Sequence, residues 1–134
     1  MFEQDYLMRI LVAFAEAIRK SMQKAAGEED HLASAGLIET AIGDATDMDG
    51  GILLSLAPES IAGILQVSGT DPRVAEYIAQ GLLLSARYLR DGGNVSRSEI
   101  RESQAHAIAE AFGVEIGLEE LTEEEWEEFF SKSL

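Results

Sequence analysis

Cysteine is absent from the chain, and histidine occurs only twice in 134 residues. The absence of cysteine excludes disulfide bonds, thiolate metal sites and a cysteine nucleophile. Uninterrupted apolar runs are also short, well below the roughly 20 residues that a transmembrane helix needs. The first residues, MFEQDY, are acidic where a signal peptide would be basic. We therefore expect a soluble, cytoplasmic protein.

Positive charge is scarce, with 10 Lys and Arg against 25 Asp and Glu, so the formal net charge is -15. Because nucleic acids and anionic membranes bind cationic side chains, we expect neither as a partner. The negative charge is concentrated at the C-terminal end, where residues 114–134 hold eight Glu and a single Lys. This distribution favours solubility and by itself identifies no partner.

Proline is scarce as well, and both prolines stand where helices are expected to begin. Pro58 precedes Glu59, and Pro72 follows Asp71, a residue typical of helix N-caps. Elsewhere apolar residues recur at three- and four-residue spacing, and many glycines fall at helix ends and turns. We therefore predict an all-α protein, a compact bundle of about six helices in one domain, residues 1–134.

Residues 72–112 are predicted to form an antiparallel helical hairpin. Its first helix ends at Arg90, and its second begins at a capping box formed by Ser96 and Glu99. The connection, residues 91–94, reads Asp-Gly-Gly-Asn and is rich in residues that tolerate positive φ. Two helices joined by so short a turn must lie antiparallel.

The first helix, predicted over residues 2–26, has a wider apolar surface than one packing contact requires. Met8 and Val12 lie outside its main stripe, beside charged residues. Such a helix is either central in a bundle or shared between two copies of the chain. Met8 and Val12 are therefore candidates for a homodimer contact or for a second core contact. The main stripe comprises Tyr6, Leu7, Ile10, Leu11, Phe14, Ile18 and Met22.

The acidic segment 114–134 is predicted to end in a helix over residues 123–133. Thr122 and Glu125 form a second capping box at its start. Because aromatic side chains are rarely left in water, we expect those of this helix to dock on the body of the domain or on a partner. The three aromatic residues are Trp126, Phe129 and Phe130.

The chain opens on Asp5-Tyr-Leu-Met-Arg9, and residues 53–59 read Leu-Leu-Ser-Leu-Ala-Pro-Glu. These segments resemble the D-Y-[LI]-M-R and L-L-S-L-[ST]-P-E motifs of a family of small, functionally uncharacterised, all-helical bacterial proteins. Ala57 departs from the Ser or Thr of the second motif. The resemblance extends loosely from residue 1 to about residue 112 and implies an all-α fold, with no activity to transfer.

A second resemblance concerns the hairpin turn. Tyr88 and the glycines of residues 91–93 are similar to the tyrosine and turn glycine of tetratricopeptide-type hairpins. No repeat of about 34 residues accompanies them, so the likeness covers one repeat unit. It implies a protein-binding surface.

Motifs of catalysis are missing. The sequence has no Gly-x-Ser-x-Gly nucleophile elbow and no glycine-rich phosphate loop, so we expect neither an enzyme nor a cofactor. The alternative is a small metal-binding or metal-dependent enzyme. Glu102, His106 and Glu110 are spaced four residues apart on one helical face, and carboxylates beside a histidine can bind a metal.

Four of the ten basic residues flank the turn of the predicted hairpin. Arginine pairs with carboxylates through two parallel hydrogen bonds. We expect this interaction patch to bind acid, supplied by the C-terminal segment (in cis or across a dimer) or by an acidic partner protein. The alternative is a set of solvated charges paired with Glu99 and Glu102. The four residues are Arg87, Arg90, Arg97 and Arg101.

Together these patterns favour a non-catalytic protein–protein interaction or scaffold module that forms a homodimer. Two other classes stay open at this point. One is the metal-dependent enzyme, and the other is a ligand-sensing regulator with a pocket between helices.

Overall fold

The structure is a computed structural model, and it describes residues 2–27, 29–116 and 122–133. These residues form seven helices and no strand, which confirms the all-α prediction. None of the described helices is long and apolar enough to cross a membrane. The helices are α1 (Phe2–Gly27), α2 (His31–Thr46), α3 (Gly50–Leu53), α4 (Pro58–Val67), α5 (Pro72–Asp91), α6 (Val95–Phe112) and α7 (Glu123–Ser133).

Helix α5 is the most enclosed element of the described fold. Every residue from Tyr77 to Ala86 is buried, and α5 packs against α6, α2 and α1. A Cβ at Gly81 would lie only 3.0 Å from Cζ of Phe14 and 3.4 Å from Cγ2 of Ile38, so the helices approach closely here. The apolar pattern of α1 predicts that it is either central in the bundle or shared between two copies. In the structure the central helix is α5. Its middle is enclosed on every side, because ten consecutive residues, 77–86, are buried.

The predicted hairpin is present as α5 and α6, and its turn contains Gly93 at a φ of 90°. The predicted start of α6 is wrong, because Asn94 and not Ser96 caps the helix. Oδ1 of Asn94 accepts a hydrogen bond from the N–H of Arg97 at 3.2 Å, so α6 begins earlier, at Val95. The hydroxyl of Ser98 on α6 then donates to the carbonyl oxygen of Ala86 on α5 at 2.7 Å, a buried bond that joins the two helices.

The other helix starts follow local sequence signals. Asp71 caps α5 ahead of a proline, whereas Ala57 makes no side-chain capping bond in front of Pro58. The capping box of α7 is confirmed. The N–H of Thr122 donates to Glu125 Oε1, and the N–H of Glu125 donates to Thr122 Oγ1, each at 3.1 Å.

Candidate interaction surfaces

The arginines around the hairpin turn pair with carboxylates on helices of the same chain. Arg90 donates to Glu102, and Nε of Arg87 lies 3.9 Å from a carboxylate oxygen of Asp91. Because the side chains of Arg87 and Arg90 are more than 40% exposed, these pairs contribute little to stability. The described part of the chain therefore supplies the acid for these two arginines from α5 and α6.

Glu39, on α2, joins the other two arginines. Its Oε1 accepts hydrogen bonds from Arg97 at 3.2 Å and from Arg101 at 3.0 Å. Arg97 is half exposed, whereas Arg101 is 6% exposed. Sequence reasoning missed Glu39, although it is the only charged residue between His31 and Asp44. A single carboxylate on an otherwise apolar stretch of helix was the available signal.

Arg101 and Gln104 form a buried polar clamp on the link between α3 and α4. Arg101 Nη1 donates to the carbonyl oxygen of Leu54 at 3.0 Å and to Gln104 Oε1 at 3.1 Å. Gln104 Nε2 donates to the carbonyl oxygens of Leu54 and Leu56 at 3.0 and 2.9 Å. Arg101 therefore has a structural role here that its exposed neighbours do not have.

Helix α7 lies on the body of the same chain through its aromatic side chains. Trp126 and Phe130 are each 1% exposed, and Phe129 is half-buried. The ring of Tyr77, on α5, lies 5.0 Å from that of Phe129 and 5.8 Å from that of Phe130, measured between centroids. Sequence reasoning named the three docking side chains, but nothing in the sequence pointed to Tyr77 as their receptor.

The charged partner of α7 is Arg19, on α1. Arg19 donates to both carboxylate oxygens of Glu127, at 2.7 and 3.0 Å, and its guanidinium carbon lies 5.0 Å from the centroid of the Phe130 ring. The hydrogen bond between them raises the pKa of Arg19 and lowers the pKa of Glu127. Among the described residues, the acidic C-terminal segment thus meets Arg19 and not the arginines of the hairpin turn.

Met8 and Val12 have different surroundings. Met8 is half-buried and packs against the core of its own chain. Val12 is 41% exposed and borders solvent on the outer side of α1. Of the two candidates, Val12 is the more accessible to a second copy.

The three possible metal ligands on α6 are not held together by the fold. Glu102 is paired with Arg90, and His106 and Glu110 are both exposed. Within the described ranges, no group of three His, Cys, Asp or Glu side chains is placed to hold a metal ion. The positions of these three side chains therefore add no support to the metal-dependent alternative.

An apolar, uncharged surface lies on the outer side of α4. Val67 is 91% exposed and Ile64 is 40% exposed. Glu59 is the only charged residue from Gly50 to Thr70, in a chain of which 26% is charged. These side chains border a shallow groove of about 640 Å³ that is largely open to solvent. We call this surface the α4 face, and its lining comprises Leu56, Ser60, Gly63, Ile64, Val67 and Ser68.

Comparison of the chain with protein-family models, with curated proteins and with solved structures finds no match. Two surfaces therefore carry the functional inference. One is the exposed α4 face, and the other is the contact between α7 and the body of the domain.

Proposed function

We propose that this protein is a non-catalytic protein–protein interaction module that forms a homodimer through the α4 face. The observation that supports the proposal is the exposure of Val67 and Ile64 on a stretch of chain with a single charge. Isolated apolar side chains on a surface are ordinary, but an apolar groove with an exposed apolar rim is typical of interaction sites.

The charge distribution favours a second copy as the occupant. Two copies that each carry a formal charge of -15 repel one another wherever their acidic surfaces meet. The α4 face avoids this repulsion, because Glu59 is its only charged neighbour along the chain. The residues that line it carry no charge, so apolar burial is the main contact that it can make.

The shape of the α4 face is suited to pairing with itself. Ser60 and Gly63 are small and line the shallow groove, and Val67, which is 91% exposed, forms its edge at the end of the same helix. In a contact with two-fold symmetry, each surface must present both the ridge and the groove that its partner needs. The face is smaller than the roughly 800 Å² per partner of a standard interface, so it would form the apolar centre of a larger contact.

The test is the molar mass in solution, measured by light scattering across a range of protein concentrations. We expect a dimer for the unchanged protein and a monomer for Val67→Glu, because two-fold symmetry places two new negative charges in one apolar contact. The side chain of Val67 is almost fully exposed, so the substitution should leave the fold intact, as judged by circular dichroism.

Val12→Glu is the matched control. It adds the same charge at an exposed valine of another helix, α1, so it should leave the dimer intact. A monomeric unchanged protein would overturn the proposed homodimer. Dissociation by Val12→Glu but not by Val67→Glu would move the interface to α1 and refute the assignment to the α4 face.

A further inference from the structure

The contact between α7 and the body has the composition of a protein–protein interface. An aromatic cluster is its centre, with Trp126 and Phe130 fully enclosed, and a two-pronged Arg19–Glu127 ion pair lies at its edge. Buried aromatic anchors beside arginine are the residues that dominate binding energy at interfaces between separate chains. Helix α7 is short, 11 residues, and acidic, so these side chains account for its attachment.

Two observations concern the fit of α7 on the body of the domain. A groove of about 510 Å³, open to solvent, runs along its edge and is lined by α1 residues and by Glu124 and Glu127 of α7. The indole N–H of Trp126 is buried and has no hydrogen-bond acceptor among the described residues. Leaving a buried donor without an acceptor is unfavourable. A helix that avoids this loss, or that also covers the groove, would fit the same surface, the α7 seat, better than α7 does.

We propose that this seat, formed by Arg19, Met22 and Gln23 of α1 with Tyr77 of α5, binds an acidic amphipathic helix of a partner protein, and that α7 competes with that helix in cis. The partner helix would carry aromatic residues three and four positions apart and a carboxylate facing Arg19, as α7 does. Charge complementarity supports this choice, since Arg19 is the cation of the seat. The inference extends the proposed interaction role to a second surface.

The tether determines how strongly α7 competes. A helix joined to its receptor by a short segment has an effective concentration on the order of 1 mM. A free peptide of equal intrinsic affinity, at about 10 µM, would then hold only about 1% of the seats. The unchanged protein should therefore show almost no binding of a free peptide that has its own α7 sequence. Binding should be measurable only for a tighter ligand, or when the docking of α7 is weakened.

The experiment uses the full chain and a fluorescein-labelled peptide with the sequence of residues 118–134. The double variant Trp126→Ala/Phe130→Ala removes the two buried anchors of α7 and leaves the seat unaltered. By fluorescence anisotropy, this variant should bind the peptide at least about tenfold more tightly than the unchanged protein does. Circular dichroism establishes that the variant keeps its helices. Equal, weak binding by both proteins would refute the proposal.

Exchanging the charges of Arg19 and Glu127 between protein and peptide distinguishes specific docking from non-specific binding to exposed apolar surface. Adding Arg19→Glu to the double variant should weaken peptide binding by about tenfold, and a peptide carrying Glu127→Arg should restore it. Binding that is indifferent to both changes would overturn the assignment of the seat. If the double variant does not fold, the full-length Glu127→Arg chain, with all aromatic anchors retained, takes its place. Failure of that chain to bind the unchanged peptide more tightly than wild type would refute the proposal.

The readout is peptide binding and not molar mass. If Val67→Glu abolishes the dimer, the α7 seat is unaffected. If the peptide does not bind, the proposed dimer through the α4 face is unaffected. The two proposals can therefore fail separately.

Discussion

Replacing Arg101 with methionine tests whether burial determines how much an arginine contributes to the stability of this fold. Arg101 and Arg97 donate to the same oxygen of Glu39, at 3.0 and 3.2 Å, but their side chains are 8% and 49% exposed. Met keeps much of the length of the arginine side chain and removes its charge. Each substitution removes one bond to Glu39, and Arg101→Met also removes the buried bonds to the carbonyl oxygen of Leu54 and to Gln104 Oε1.

The expected magnitudes follow from the groups left behind. Removing one partner of a buried ion pair is unfavourable by about 3–5 kcal/mol. Here Glu39 keeps Arg97, and the carbonyl oxygen of Leu54 keeps its bond from Gln104, so we expect about 2–3 kcal/mol for Arg101→Met. For Arg97→Met we expect less than about 1 kcal/mol, since exposed pairs are weak.

Urea denaturation followed by circular dichroism measures the difference, at one protein concentration because self-association would shift the midpoint. With a slope near 2 kcal/mol per molar urea, the Arg101→Met midpoint should fall by about 1–1.5 M and the Arg97→Met midpoint by less than about 0.5 M. Equal effects of the two substitutions would refute the reasoning. The double variant Glu39→Met/Arg101→Met is a second test. Because it removes both charges, its loss of stability should be smaller than the sum of the two single losses by at least about 1 kcal/mol, and a strictly additive loss would also refute the reasoning.

Further predictions concern single positions. Gly43→Ala should destabilise the protein by about 1–3 kcal/mol in urea melts, because strain is costly in a packed site; its Cβ would lie 2.9 Å from the backbone nitrogen of Gly50. Gly36→Ala has open space around it and should raise stability by up to about 1 kcal/mol, and destabilisation there would contradict the argument. Burial raises the pKa of Glu76 in the folded state, so this group lowers stability as pH rises through its pKa. Glu76→Gln should therefore melt higher than wild type at pH 7, with the gap closing in acid; a constant gap would refute this sign. Thr122→Ala should weaken the start of α7 by about 1 kcal/mol, seen as faster amide exchange in α7 without a change in the urea midpoint.

Local signals in the sequence predicted the helices and several of their ends. The Asp71–Pro72 start and the Thr122 capping box are confirmed, because an N-cap satisfies backbone groups only two or three residues away. The Ser96 box failed for a related reason. Two neighbouring residues could cap the same helix, and Asn94 at the end of a tight turn reached the free N–H group.

The pairing of the hairpin helices was also predictable, since a short turn leaves only an antiparallel arrangement. The contact partners of individual side chains could not be predicted from the sequence. Glu39 is separated from Arg97 and Arg101 by about 60 residues, and Arg19 is separated from Glu127 by 108. Helical periodicity reports which side of a helix is apolar, but it does not report which other helix that side will meet.

The sequence by itself therefore determined the class of this protein: acidic, free of disulfides, and built from helices with a hairpin over residues 72–112. Only the tertiary structure decided that α5 is the enclosed helix, that Arg101 is buried in a clamp, and that α7 lies against Arg19 and Tyr77. Helix formation depends on bonds within four residues, whereas these contacts depend on how whole helices pack. That packing leaves Val67 and Ile64 of the α4 face exposed, and it leaves the buried indole N–H of Trp126 without an acceptor among the described residues.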